Sequence, residues 1–232
     1  MAPEAPDRGA MHSDSAVPTS SAQSELAGLA AGLFSPLAHD LRAGLNGISV
    51  WTHLLARDGD DVSQRALEGI RRAVADQSAM AQQLSQFGAA LTAQHARPAQ
   101  PVDLNVLCTE LAGELREISP DRAVTVHAPD QPVVVTHADV LRQIVRLLLL
   151  DAIASTPDDI AVEVALHETA GHLVLEVGAH IAEAGADTPP RRNLRQAMAA
   201  LAACMLGGYL EILPADPVSR CLLHLPGAPL GT

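Results

Sequence analysis

Cysteine is scarce in this chain, and its spacing excludes the usual cysteine-based sites. The three cysteines are Cys108, Cys204 and Cys221, and they form no CxxC pair of the kind that binds zinc. The histidines likewise show neither HxH nor HExxH spacing. An odd number of widely spaced cysteines favours reduced thiols in a cytoplasmic protein. We therefore expect no metal ion held by this chain.

Clustered basic residues are also missing. The formal net charge is −12, and phosphate contacts to nucleic acid require grouped lysines and arginines. No such patch occurs along the sequence, so nucleic acid is excluded as the expected partner. The excess of acids is the composition of a solvated surface.

Membrane signals are absent as well. The first residues carry neither a positively charged start nor an apolar core, which argues against a signal peptide. The longest apolar run, Leu194 to Leu213, has about the length of a membrane span, but Arg195 and Glu211 interrupt it. The sequence therefore predicts no membrane association.

Composition divides the chain into three parts. Residues 1–24 are rich in Pro, Ser and Ala and predict a disordered tail. Residues 25–97 form a helical unit, and Thr92 to Pro101 has the composition of a linker. Residues 98–232 form a second unit of mixed helices and strands.

The first helix carries one histidine on its outer side. At about 100° per residue, its apolar stripe is less than about 100° wide, as a core-facing helix requires; the stripe consists of Leu37, Leu41, Leu45, Ile48 and Leu55. His39 lies about 200° from Leu37. We therefore expect the imidazole to face solvent.

A second helix follows the turn at Gly59. Its apolar positions step by three and four from Leu67 to Leu91, with weak positions at Gln77 and Gly88. Two such helices cannot cover their apolar stripes alone. The pattern predicts an antiparallel hairpin that dimerises as a four-helix bundle.

The segment "AHDLRAGLNGISVWTHLL" resembles the phosphoacceptor segment of bacterial sensor histidine kinases. His39, Asp40, Leu41, Arg42 and Leu45 match its pattern. The resemblance implies that His39 is phosphorylated. Two positions depart from the family: Ala43 replaces the Thr or Asn associated with dephosphorylation of a partner, and Gly44 replaces Pro.

The chemistry of these residues agrees with that role. A neutral imidazole is a good nucleophile near pH 7, and the carboxylate of Asp40 can accept or orient its ring proton. Arg42 is a candidate for a phosphate or partner contact, and a solvated surface charge is its alternative. On helix position alone, His39 would be an ordinary surface histidine.

The second unit predicts an α+β sandwich, with helices on one face of a mixed sheet. Its helices are "PVDLNVLCTELAGEL", "ADVLRQIVRLLLLDAIAS" and "RNLRQAMAALAACML", and its strands are "AVTVHAP", "QPVVVTH", "IAVEVALHE", "HLVLEVGAH", "YLEIL" and "SRCLLHLP". The order resembles the ATP-binding domain of the same kinases over residues 102–226.

The residues that bind nucleotide in that family are missing here. Asp151 stands where the family has a magnesium-binding Asn, and Ala154 where it has a basic residue. Ala179 and Ile181 replace the Asp and first Gly of the Asp-x-Gly-x-Gly segment, which we place after a strand ending at Val177. The lid segment "GADTPPRRNL" lacks repeated glycines, and a tight turn alone explains Gly207 and Gly208. We therefore expect a degenerate ATPase-like domain with no bound cofactor.

Together these features predict a bacterial histidine phosphotransferase, a cytoplasmic homodimer that relays a phosphoryl group between receiver-domain aspartates through His39. The partners are response-regulator receiver domains, which would supply Mg²⁺. Two alternatives are an ATP-dependent sensor kinase with a divergent nucleotide site and a non-catalytic module that docks a response regulator.

Overall fold

A computed structural model gives the fold of the chain and describes residues 20–55, 60–94, 97–128, 132–169, 171–180, 193–213 and 218–226. The elements in chain order are α1 (Ser20–Leu55), α2 (Asp60–Gln94), β1 (Gln100–Asp103), α3 (Leu104–Ile118), β2 (Val124–His127), β3 (Val133–Thr136), α4 (Ala138–Ser155), β4 (Val162–Thr169), β5 (His172–His180), α5 (Leu194–Met205), β6 (Tyr209–Leu213) and β7 (Val218–Pro226).

Helices α1 and α2 form the hairpin that their apolar periodicity predicts, and two glycines let them approach closely. A Cβ atom on Gly69 would lie 2.3 Å from the indole of Trp51, and one on Gly44 would lie 1.8 Å from Nε2 of Gln77. The Gln77 side chain donates a hydrogen bond to the carbonyl oxygen of Asp40 over 3.3 Å. Gln77, a weak position in the apolar pattern, is therefore a polar contact between the helices.

The second unit contains a five-stranded mixed sheet with strand order β2-β4-β5-β7-β6. Strands β2 and β4 are parallel, and the other neighbours are antiparallel. Strands β1 and β3 form a separate antiparallel pair. One face of the sheet is buried by side chains that alternate along β4 and β7. The central strand β5 is buried at consecutive residues, from Leu173 to Leu175 and from Val177 to Ala179.

Helices α3, α4 and α5 cover that face and complete the α+β architecture that the sequence predicts. The largest fully buried side chains come from all three helices and from the sheet; they include Leu104, Leu111, Leu141, Leu148, Met198, Leu175 and Leu223. Helix α5 ends in a Schellman motif. Gly207 has a φ of 75°, and the N–H of Gly208 donates to the carbonyl of Ala203 over 2.9 Å. The tight turn accounts for Gly207, as expected, but it does not alone account for Gly208, because a Cβ atom there would lie 2.2 Å from the carbonyl oxygen of His224 in β7.

The hairpin packs on the second unit through α4 and α5. Helix α1 contacts α5, and α2 contacts α4. Phe87 and Ala90 are buried in the same apolar core as the sheet, and Leu37, Met80 and Leu84 pack against it. This contact brings the phosphoacceptor-like segment close to the N-terminal end of α5.

Part of the hairpin's apolar surface stays exposed in the single chain. Leu45 is 62% exposed, and Leu41, Leu67 and Val74 are also exposed. Leu41 and Leu45 belong to the stripe that we expect to face a core, so this stripe is only partly covered by the chain itself. The four-helix bundle stays a prediction.

The structure corrects three boundaries. Helix α1 begins at Ser20 and includes residues 20–24, which the sequence suggested were part of the tail. Residues 100–103 form β1 rather than the start of a helix, and Asp103 caps α3 by accepting hydrogen bonds from the backbone of Asn105 and Val106. Strand β5 coincides with the predicted strand "HLVLEVGAH", so the segment matched to Asp-x-Gly-x-Gly does not follow a strand that ends at Val177; Ala179 is still paired with Ser219 of β7.

Within the described ranges, no helix is long and apolar enough to cross a membrane.

Candidate functional site

His39 lies on an exposed face of α1. Its side chain is 80% exposed, as the helical periodicity predicts. Arg42, Ala43 and Asn46 are also exposed, and at 100° per residue all three lie within about 60° of His39. The imidazole therefore projects into solvent from an open, mainly small and polar surface.

Asp40 fixes the orientation of the imidazole. Nδ1 of His39 lies 3.1 Å from Oδ1 of Asp40. Because an ionised carboxylate only accepts hydrogen bonds, this contact favours the tautomer in which Nδ1 carries the proton and donates it. Nε2 then holds the free lone pair. The bond from Gln77 to the backbone of Asp40 anchors the same turn to α2.

Arg42 makes no hydrogen bond or ion pair with any residue that the structure describes, so its guanidinium is free to meet a ligand or a partner. Its role stays a prediction.

Beside Asp40, a cavity of about 290 Å³ separates the hairpin from the head of α5. Its lining residues are Asp40, Asp76, Ala79, Met80 and Gln83 from the hairpin and Asn193, Leu194 and Arg195 from α5. Nε of Arg195 is buried and has no hydrogen-bond partner among the described residues. The head of α5 thus shares a cavity with Asp40, the residue that follows the candidate phosphoacceptor in α1.

Asp151, which the sequence resemblance matches to the kinase magnesium ligand, is buried on α4 with 7% of its surface exposed. Its Oδ1 accepts a hydrogen bond of 2.6 Å from Nδ2 of Asn193, and its Oδ2 accepts one of 2.9 Å from Nε2 of Gln196. Both carboxylate oxygens are thus bound by side chains of this chain. We call Asp151, Asn193 and Gln196 the α5 latch.

The latch also forms the cap of α5. The side chain of Asn193 accepts from the backbone of Gln196 over 3.0 Å, and the Gln196 side chain accepts from the backbone of Asn193 over 3.4 Å. These reciprocal bonds make a capping box. The two capping residues of α5 are therefore the two donors to Asp151.

Among the residues that the structure describes, the space beside Asp151 is small. A cavity of about 70 Å³ is lined by residues that include Asp151, Ala179, Gln196 and Cys221, whereas small-molecule pockets usually measure about 300–1,000 Å³. Ala179 lies within β5 and is buried there, and Ala154 is exposed. Ile181 and most of the lid segment lie outside the described residues.

No group of three or more His, Cys, Asp or Glu side chains suited to a metal ion occurs in the part of the chain that the structure describes. None of the three cysteines forms a disulfide with a residue that the structure describes.

No protein-family model matches the chain, and no curated protein matches it. Solved structures of histidine kinases do match it. The histidine kinase AdeS of Acinetobacter baumannii is 13% identical, with 81% of this chain and 97% of that chain covered and a TM-score of 0.52. Full-length ShkA, solved with AMPPNP, is 17% identical, with 84% of this chain and 46% of that chain covered and a TM-score of 0.53.

The chain has a histidine-kinase-like fold. At these identities the comparison concerns the fold alone, and both matches extend over more than four fifths of this chain. They therefore include residues of the hairpin as well as the α/β sandwich.

The sequence did not reveal three polar residues of this kinase-like fold that organise the candidate site: Gln77, Asn193 and Gln196. Gln77 was visible only as a defect in an apolar pattern. Asn193 and Gln196 had a local signal, because an Asn followed three residues later by Gln before an apolar run is typical of a capping box. Their bonds to Asp151 had none, because they span 42 and 45 residues.

Proposed function

We propose that the chain is a histidine phosphotransferase of two-component signalling that passes a phosphoryl group between receiver-domain aspartates through His39. The proposal is carried by one observation, the exposed imidazole whose Nδ1 is held by Asp40. This arrangement presents Nε2 as a nucleophile to a partner in solvent.

The transfer can be written with this chain's atoms. The lone pair of Nε2 attacks the phosphorus of an aspartyl phosphate, the N–P bond forms, and the P–O bond to the receiver carboxylate breaks. The receiver carboxylate leaves as an anion. The phosphorylated ring keeps its Nδ1 proton and becomes cationic, and Asp40 stabilises that charge through a charge-assisted hydrogen bond. The reverse sequence passes the phosphoryl group to a second receiver.

The receiver would hold the Mg²⁺ that neutralises the phosphoryl oxygens, because phosphoryl transfer depends mainly on positioning and charge stabilisation. Arg42, on the same face as His39, is the candidate on this chain for a contact with the phosphoryl group or the receiver.

Two features beside Asp151 support a function without nucleotide. Each oxygen of Asp151 accepts one amide hydrogen bond within the chain, so a magnesium ion there would share the carboxylate with Asn193 and Gln196. The cavity next to it is also several-fold smaller than a pocket for a drug-sized ligand. These features support a phosphate source other than ATP. They count against the alternative that is otherwise equally consistent with the fold, an ATP-dependent sensor kinase.

Labelling experiments separate the candidate functions. The chain is incubated with labelled ATP alone and, separately, with receiver domains from the organism that encodes it, each prephosphorylated with labelled acetyl phosphate. We expect label on the chain only with a receiver, and none in His39→Gln. His53→Gln, a change at another exposed histidine of the same helix, should keep the label.

Label from ATP alone would instead establish an autokinase. Binding of a receiver with no label on wild-type chain would establish a docking module.

A further inference from the structure

The α5 latch places a polar network where a kinase would bind magnesium and nucleotide, and this network has a second consequence. It joins Asp151 in the middle of the sandwich to the first turn of α5, and that turn forms one wall of the cavity next to Asp40. We infer that Asp151 is a positioning residue for phosphotransfer. It holds the head of α5 where that turn completes, with the His39 face, the surface that receives the phosphorylated receiver domain. The inference rests on the proposed function.

The first argument is the connection between the latch and the cavity. Asn193 both binds Asp151 and lines the cavity, and Leu194 and Arg195 follow it directly. Leu194 is buried in the core, so the turn is fixed on one side by packing and on the other by the latch. A shift of this turn would move Arg195 relative to Asp40.

The second argument is the size of the expected interface. A stable protein contact covers about 800 Å² on each partner, which is far more than the exposed surface of one imidazole. A receiver centred on His39 must therefore reach the neighbouring surfaces. The head of α5 is one of them, because it shares a cavity with Asp40.

The third argument is charge. The cavity carries the carboxylates of Asp40 and Asp76 on the hairpin side and the guanidinium of Arg195 on the α5 side. Arg195 has a buried Nε without a partner among the described residues. The α5 head therefore offers a cation to an anionic partner surface next to His39, where the hairpin wall offers carboxylates. A phosphorylated receiver is a partner of that chemistry.

The latch allows a reciprocal substitution as a test. In Asp151→Asn, the acceptor that faces Gln196 becomes an amide N–H₂, so two donors face each other. In Gln196→Glu, a second carboxylate faces the carboxylate of Asp151, so two acceptors face each other. In the double variant, the new amide at position 151 donates to the new carboxylate at position 196 and accepts from Asn193. That carboxylate also keeps the bond to the backbone of Asn193. Donor and acceptor roles are exchanged, and every partner is restored.

We measure the initial rate of transfer from the receiver that labels the wild type fastest, over a range of receiver concentrations. Each single variant should raise KM about tenfold, which corresponds to about 1.4 kcal/mol, with kcat within about twofold of wild type. The double variant should return KM to within about threefold of wild type. Hydrogen exchange in the first turn of α5 should rise in both single variants and fall again in the double variant.

The outcomes separate this inference from the function on which it rests. Faster exchange at α5 with an unchanged KM in Asp151→Asn would overturn the inference and leave the proposed function intact. A loss of kcat that the double variant does not restore would also overturn it. Absence of transfer to the wild type from every receiver would overturn the proposed function and this inference together.

Discussion

Asp40 illustrates how one neighbouring side chain determines the chemistry of His39. Its carboxylate lies 3.1 Å from Nδ1, so the ring proton is held on the nitrogen that does not react. The negative charge of this carboxylate also stabilises the positive charge that the ring acquires on phosphorylation. We therefore expect Asp40 to stabilise the phosphorylated imidazole more than the free imidazole.

We expect Asp40→Asn to slow single-turnover transfer about tenfold, because a neutral amide accepts the same bond without the charge, and charge-assisted bonds are roughly twice as strong. Asp76→Asn is the matched control, since Asp76 lines the same cavity but lies on α2. Equal slowing in both variants, measured with saturating phosphorylated receiver, would mean that only the general negative charge of the cavity matters.

Cys108 gives a prediction about pH. Burial in the core raises the pKa of the Cys108 thiol to about 12, because a thiolate would be poorly solvated there. Unfolded chain releases this proton above about pH 9. The stabilising contribution is therefore complete below that pH and is lost as the pH rises towards 12.

Between pH 8 and pH 10, the free energy of unfolding should consequently fall more in the wild type than in Cys108→Ala. Iodoacetamide at pH 8 should modify Cys108 at least about 100-fold more slowly in the folded chain than in urea, as mass spectrometry of the alkylated peptide would show. Fast alkylation of folded chain would contradict the buried position.

At the scale of elements, the contact between α1 and α2 depends on Gly44. A methyl group there would meet Nε2 of Gln77 at 1.8 Å, so Gly44→Ala must displace that side chain and its bond to Asp40. Alanine is otherwise favoured over glycine in a helix by about 1 kcal/mol. We expect Gly44→Ala to destabilise the wild type but to stabilise the Gln77→Ala variant.

Chemical unfolding of the wild type, Gly44→Ala, Gln77→Ala and the double variant measures this change. The effect of Gly44→Ala on the free energy of unfolding should have opposite signs with and without Gln77. Gly88→Ala is the control, because a Cβ atom there meets nothing within 4 Å, and it should stabilise the chain in either background. A Gly44→Ala effect that is the same with and without Gln77 would show that the two positions do not contact each other.

Element-scale features also show how far the sequence can be interpreted. The hairpin and the long strands were predictable, because a period of 3.6 persists over many residues in α1 and α2, β4 alternates with a period of 2, and β5 contains a continuous apolar run. Strand β1 was not predictable, because it has only four residues, including Pro101, and these are too few to show an alternation of apolar and polar side chains. The segment matched to Asp-x-Gly-x-Gly was placed after Val177, whereas pairing with β7, a long-range contact, keeps Ala179 inside β5.

The candidate site likewise contains one feature that the sequence predicts and one that it does not. The exposure of His39 follows from its position on a helix, so the sequence predicts it. The α5 latch does not follow, because it depends on two side chains more than 40 residues from Asp151. The sequence alone indicates that Asp151 belongs to a degenerate magnesium site, whereas in the structure its carboxylate accepts hydrogen bonds from Asn193 and Gln196.

At the scale of the whole molecule, the exposed apolar stripe of the hairpin predicts a second copy of the chain. Leu45→Glu should convert a dimer to a monomer in sedimentation experiments, because it places a charge in the centre of the expected bundle. Val50→Glu is a matched control, since Val50 is 58% exposed and lies about 140° away around α1. A monomeric wild type, or dissociation caused equally by both changes, would reject the bundle.

The central claim, that His39 accepts phosphate at Nε2 while Asp40 holds Nδ1, is tested most directly by phosphorus NMR of the chain after transfer from a phosphorylated receiver. The account predicts one phosphohistidine signal, with phosphorus bonded to Nε2, that is absent from His39→Gln. A signal from Nδ1-phosphohistidine, or an Nε2 signal that persists in His39→Gln, would contradict it.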